Sequence, residues 1–299
     1  MRPLAILTAA FTITLQAADP ALLNLVMPNA TVLAGINVQK AKTTTFGQFL
    51  LTQLPAGDGL NTFISSTGFD PRQDLTEVLM ASTGEAKNNG LIMATGTFSP
   101  SKIATALAAD SKHTSQTYNG AQLITAADTT DTGAVAFLSP SLVVVGDVAN
   151  VKAAIDRRGS ANAIDPSLAA KIAAFSATDA WSVTNSPIHM GDAKDNPFAG
   201  ALKTVQQASG SIMLSSPVQI NVEAQAASDQ DATSLSDVLK FVVSMMQGNP
   251  QAALLNGLNV TTDHSTVRLQ LSIPEDQLEQ LIKGASVDKA AKKPLAAHV

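Results

Sequence analysis

A chain of 299 residues that is 45% hydrophobic is long enough to bury one large core or two ordinary ones. A formal net charge of −5 and only 4% aromatic residues, with Trp181 and Tyr118 alone of their types, argue against a nucleic-acid or anionic-membrane surface and against stacking platforms for bases or sugars. The absence of cysteine excludes disulfides and a lipid anchor on a cysteine, so core burial must supply the stability.

The chain opens Met1-Arg2-Pro3, then runs through the apolar stretch "LAILTAAFTITL" into "QAADP". One basic residue, a short apolar core and a small-residue exit at Ala17 or Ala18 form the pattern of a secretory signal peptide over 1–18. The pattern is imperfect, because Leu15 or Gln16 stands where cleavage prefers a small side chain. The sequence therefore predicts a periplasmic or secreted protein that begins near Ala18 or Asp19. No later stretch approaches the ~18 uninterrupted apolar residues of a membrane helix, so the mature chain is expected to carry no transmembrane anchor.

"SPSK", Ser99 to Lys102, has the Ser-x-x-Lys spacing of exported serine acyl-enzymes, in which a lysine amine at a helix start takes the proton of the serine hydroxyl. Its usual companions, Ser-Asp-Asn and Lys-Thr-Gly, are missing. Ser99 and Pro100 also suit an N-cap and first helical position, with Ile103 and Leu107 facing a core. Asn119-Gly120 marks a two-residue hairpin turn. "DTTDTG", Asp128 to Gly133, lacks the acid spacing and closing glutamate of a calcium loop and reads as a connection between strands.

"SLVVVGDVANVKAAIDRR", Ser141 to Arg158, places Gly146 between an apolar run and an amphipathic stretch. A phosphate cradle needs several glycines whose N–H groups converge on the anion. Gly146 stands alone, and Asp147 would repel a phosphate. The stretch predicts a hairpin arm running into a helix capped by Asp147. No nucleotide and no other cofactor is signalled. The weakest join follows at "RRGSANAIDPS", Arg157 to Ser167, and divides an N-terminal half, 19–160, from a C-terminal half, 161–284.

"HMGDAKD" gathers His189, Asp192 and Asp195, which could contact a divalent ion; a metal site wants three or four ligands, and a solvated loop accounts for the same residues. Val218, Ile220, Val222, Ala224 and Ala226 alternate with polar residues, as do Val267, Leu269, Leu271 and Ile273, so both stretches predict strands with one wet face. Each reads as the second arm of a hairpin. After Ser228, a good cap, Ala232, Leu235, Val238, Leu239, Val242, Met245 and Met246 share one helical stripe, with Gly248 as its stop. The Met245/Met246 end of that stripe could line a ligand groove or simply pack a core. Leu278, Leu281 and Ile282 define a last helix, and 285–299 reads as a disordered tail.

The stretches "VLAGINVQKAKTTTFGQFLL", "GFDPRQDLTEVLMAS" and "AVAFLSPSLVVVGDVANVKAAID", with the strand–helix pair from Val218 to Met246, resemble a group of uncharacterised exported bacterial proteins. The resemblance implies an envelope or secreted location. It transfers no activity and no catalytic residue.

Hairpins followed by helices predict an α+β fold: antiparallel sheet built from repeated hairpin-then-helix units, with helices packed on one face. The expected function is non-catalytic binding or membership of an envelope assembly, with the ligand and partners unspecified. The alternatives are an exported serine hydrolase using Ser99 and Lys102, and a carrier of an apolar small molecule held between the sheet and the Met245/Met246 helix.

Overall fold

The computed structural model describes residues 18–53, 58–84, 90–109, 112–127, 133–160, 164–187, 202–245 and 254–291. Its strands are β1 (Val32–Asn37), β2 (Leu75–Ser82), β3 (Gly90–Gly96), β4 (His113–Tyr118), β5 (Ala121–Ala126), β6 (Gly133–Ser139), β7 (Leu142–Asp147), β8 (Ala180–Thr184), β9 (Val205–Met213), β10 (Val218–Ala226), β11 (Asn259–Asp263) and β12 (Thr266–Ile273). They form a 12-stranded sheet in the order β11-β12-β10-β9-β8-β1-β2-β3-β7-β6-β5-β4, and the neighbours pair antiparallel. The helices are α1 (Pro20–Leu23), α2 (Val38–Ala41), α3 (Thr45–Thr52), α4 (Asp58–Thr67), α5 (Pro71–Asp74), α6 (Pro100–Ala108), α7 (Val148–Arg157), α8 (Pro166–Ala173), α9 (Asp229–Met245) and α10 (Glu275–Ala291). The fold is mixed α+β, as the sequence predicts.

The local signals act where expected. Asn119 and Gly120 turn β4 into β5 with φ of 44° and 76°, the positive pair a tight hairpin needs. The Asp147 carboxylate accepts the Asn150 N–H at 3.0 Å and caps α7. Ser228 Oγ accepts the Asp231 N–H at 3.1 Å at the start of α9. Gly248, expected to stop that helix, lies outside the described residues.

The helices do not share one face, and here the expectation is corrected. Leu22 of α1, Val151 and Ile155 of α7, and Leu168 and Ile172 of α8 pack with Leu33, Leu79, Leu91, Met93, Val144 and Val183 on what we call the covered face. Ile103 of α6 and Phe63 of α4 pack with Ala94, Val143, Phe137 and Ile124, whose side chains alternate with those and point to the other face. The cause lies in β3 and β7, whose runs "LIMA" and "LVVV" are apolar at successive positions and so demand cover on both sides. Helices that follow hairpins therefore go to opposite faces, α7 to one and α6 to the other.

The sheet runs unbroken across the Arg157–Ser167 join, since β8 pairs with β1 on one side and with β9 on the other. At its far end α9 packs through Ala232 and Leu235 onto Ala224 and Val267. The pair α3 and α10 closes the corner near Ile212 and Val218. Helix α10 continues past Gly284 to Ala291, and 292–299 lie outside the described residues, as do 1–17.

Candidate functional site: the uncovered face of the sheet

Every pair is antiparallel, and the register shifts in β2, β6 and β10 lie away from its line, so one row of side chains crosses the sheet on the face opposite α7. Its central part is Val145, Ile92, Met80, Ala34, Ser182, Gly210 and Val222, each paired directly with the next, from β7 to β10. These seven strands span about 29 Å at ~4.8 Å per step. At the β7 end the row passes under the cluster held by α6. Beyond β10 it continues through Leu269 and Val260 under α9. Between these covers the middle of the row is bare. Met80 is 40% exposed, Ile92 46%, and Ile36, which neighbours the row on β1, 40%.

Two adjoining clefts lie along this strip. One, of about 630 Å³, is lined by Val32, Ala34, Met80, Ile92 and Val145 among others; the second, of about 310 Å³, by Ala34, Ile36, Met80, Ser182, Gly210 and Val222 among others. Ala34 and Met80 belong to both, so the clefts form one trough. Its floor drops where β1, β8 and β9 contribute Ala34, Ser182 and Gly210, all small. The lining of the two clefts holds one acid, Asp147, and no base. Asp147 is already engaged with Asn150 at the start of α7.

The glycines on these strands have different causes. At Gly35 a Cβ would fall 2.5 Å from the Trp181 ring, which lies over that backbone on the covered face and stacks on Phe175. At Gly146 a Cβ would fall 2.8 Å from the Gly90 carbonyl oxygen and 2.8 Å from Leu91. Close packing of β7 on β3 thus explains the glycine that resembled the start of a phosphate cradle. At Gly210 a Cβ meets nothing closer than 3.5 Å, an ordinary contact. A Cβ would fit at Gly210, so the bare backbone there leaves the floor of the trough open without a close contact that demands glycine.

The residues singled out by sequence lie elsewhere. Ser99 occupies the N-cap position of α6, with its carbonyl accepting the Ile103 N–H at 3.0 Å, but its hydroxyl makes no capping bond. Lys102 is exposed. Neither lines the trough or the cleft on the other face of the sheet described below. His189, Asp192 and Asp195 lie outside the described residues, and among those described no cluster of three metal-ligating side chains occurs. Met245 is 69% exposed on α9 and turned away from the sheet cluster, as is Phe241 at 58%; Met246 lies outside the described residues. The apolar trough is therefore not between the sheet and that end of α9, where the carrier reading placed it.

A third cleft, about 360 Å³, opens on the other face between α8 and the polar rows of β9, β10 and β12. Its charged side chains already have partners: Arg268 pairs with Glu223 at 2.9 Å and with Asp263, outside the cleft, at 3.4 Å, and Lys171 donates to the neutral amide oxygen of Gln207 at 2.6 Å.

No helix among the described residues is long and apolar enough to cross a membrane. No family model matches the chain, and no curated protein matches it significantly. A solved structure described as crystal form I of TP0453 is similar in fold, with a TM-score of 0.53 at 10% identity over 89% of this chain and 97% of that one. At that identity the likeness is one of fold alone.

Proposed function

We propose that the chain is an exported, non-catalytic binding protein whose uncovered sheet face takes an elongated apolar molecule. The observation that carries this reading is the bare middle of the cross-sheet row, where the apolar side chains of Ile92, Met80 and Ile36 stay exposed between the parts of this face that helices cover. Apolar surface left in water is costly at about 25 cal/mol per Å², and burial of this strip by a ligand would recover that cost. The sheet edges offer less. Strand β4, "HTSQTY", and strand β11, "NVTTD", are polar and largely exposed, which blunts them against added strands. With one acid and no base in its lining, the trough suits a hydrocarbon chain with an uncharged polar end better than an anionic amphiphile. Export rests on the Met1 to Ala18 pattern and on the resemblance to exported bacterial proteins.

Titration with a pyrene-labelled long-chain alcohol tests the reading. Saturable binding is expected, weaker for the pyrene-labelled fatty carboxylate and lost on Ile92→Asp. Absence of saturable binding, or labelling of Ser99 by a fluorophosphonate, would overturn it in favour of another partner or of the hydrolase.

A further inference from the structure

Glu77 sits on β2 with its side chain on the covered face, in step with Leu79 and Ala81. Its two carboxylate oxygens both accept from one backbone N–H, that of Asp19, at 3.0 and 3.3 Å. Among the described residues no lysine or arginine pairs with it. The charge beside it is another acid, the Asp19 carboxylate, and burial with that neighbour pushes its carboxyl up to about 7. Thr95, its partner across the β2–β3 pair, has a buried hydroxyl with no hydrogen-bond partner. A half-buried acid that meets a second acid and, among the described residues, no cation would be stabilised in its charged form by a positive charge placed beside it.

Such a charge has a source one bond away. Ala18 and Asp19 are where the sequence places the end of a signal peptide. We infer that Glu77 is the receptor for a new chain terminus, formed when the Ala18–Asp19 bond is cut, and that the Asp19 ammonium then forms an ion pair with it. The inference rests on the export reading. Water adds across the amide under an endopeptidase of the signal-processing class: its hydroxyl goes to the Ala18 carbonyl carbon, the C–N bond breaks, and its hydrogen goes to the Asp19 nitrogen. The freed amine takes one further proton from solvent. A weak amide N–H donor thereby becomes a charged donor with three protons, enough for both Glu77 oxygens and one further acceptor. Removal of Ala18, which is buried, costs one methyl of packing. The ion pair joins the start of the chain to β2, so processing tightens α1 onto the sheet.

The test uses the chain that begins at Asp19, in three forms: free amine, N-acetylated, and free amine carrying Glu77→Gln. At pH 7.5 the free-amine form is expected to melt higher than the acetylated form by roughly 2–4 °C, the shift a single good interaction makes in a domain of this size. Acetylation should change little in the Glu77→Gln background. Equal melting of the first two forms, or a loss on acetylation as large in the Glu77→Gln background as in the native one, would overturn the pairing. Mass spectrometry of protein from its native host separates the two ideas. An intact Met1 sinks export, while a terminus at Ala18 leaves export standing and overturns cleavage at Ala18–Asp19.

Discussion

Asp147 and Ser99 occupy the same position at the head of a helix, and only one of them caps. The Asp147 carboxylate accepts the Asn150 N–H, whereas the Ser99 hydroxyl makes no capping bond. Asp147→Ala should therefore cost about 0.5–2 kcal/mol and Asp147→Asn much less, while Ser99→Ala should stay within about 0.5 kcal/mol, all by denaturant unfolding. Glu77 makes stability depend on pH. In the chain whose Asp19 nitrogen is still an amide or is acetylated, Glu77 titrates near 7 when folded, against 4.5 for the free side chain, chiefly because burial disfavours its charge. The folded form then holds a proton that the unfolded form has lost between those values. That contribution to stability is complete below pH 4.5 and is lost as pH rises through 7. Melting curves from about pH 4.5 to 8 should show this decline, and Glu77→Gln should remove it.

At the scale of elements, much of the architecture could be read from spacing. Strands β10 and β12 alternate apolar and polar residues, and the structure places Val218, Ala224 and Val267 inside with Glu223 and Arg268 outside. Asn119-Gly120 and Ser228 sit at their turn and cap for local reasons that sequence displays directly. The covered and uncovered faces were not legible. Ile92 and Met93 are neighbours of similar hydrophobicity, and only the path of distant helices leaves one at 46% exposure and the other buried. The trough was missed for the same reason: its floor is drawn one residue at a time from seven strands far apart in the chain. Gly210, a glycine in the middle of a strand, was the one local hint, since a strand interior disfavours glycine unless space is needed. Gly210→Val supplies a test with opposed signs. Its Cβ has room and valine favours strands, so the melting temperature should hold or rise, while affinity for the apolar alcohol should fall about tenfold or more. Gly146→Ala should instead lower stability by about 1–3 kcal/mol, because its Cβ must push on the Gly90 carbonyl.

The described strands form one sheet, and the asymmetry of its two faces organises the molecule. Helices α1, α7 and α8 close one face over β1, β2, β3, β7 and β8. On the other face α4 and α6 hold one end and α9 the other, and the strands between them keep an apolar floor in water. If this floor binds the ligand, photo-crosslinking will find the ligand there. A long-chain alcohol bearing a diazirine midway along the chain, bound and irradiated, should attach to the peptides carrying Met80 and Ile92, and unlabelled alcohol should compete the adducts away. Adducts confined to the peptide carrying Phe241 and Met245, or adducts that excess alcohol does not displace, would contradict it.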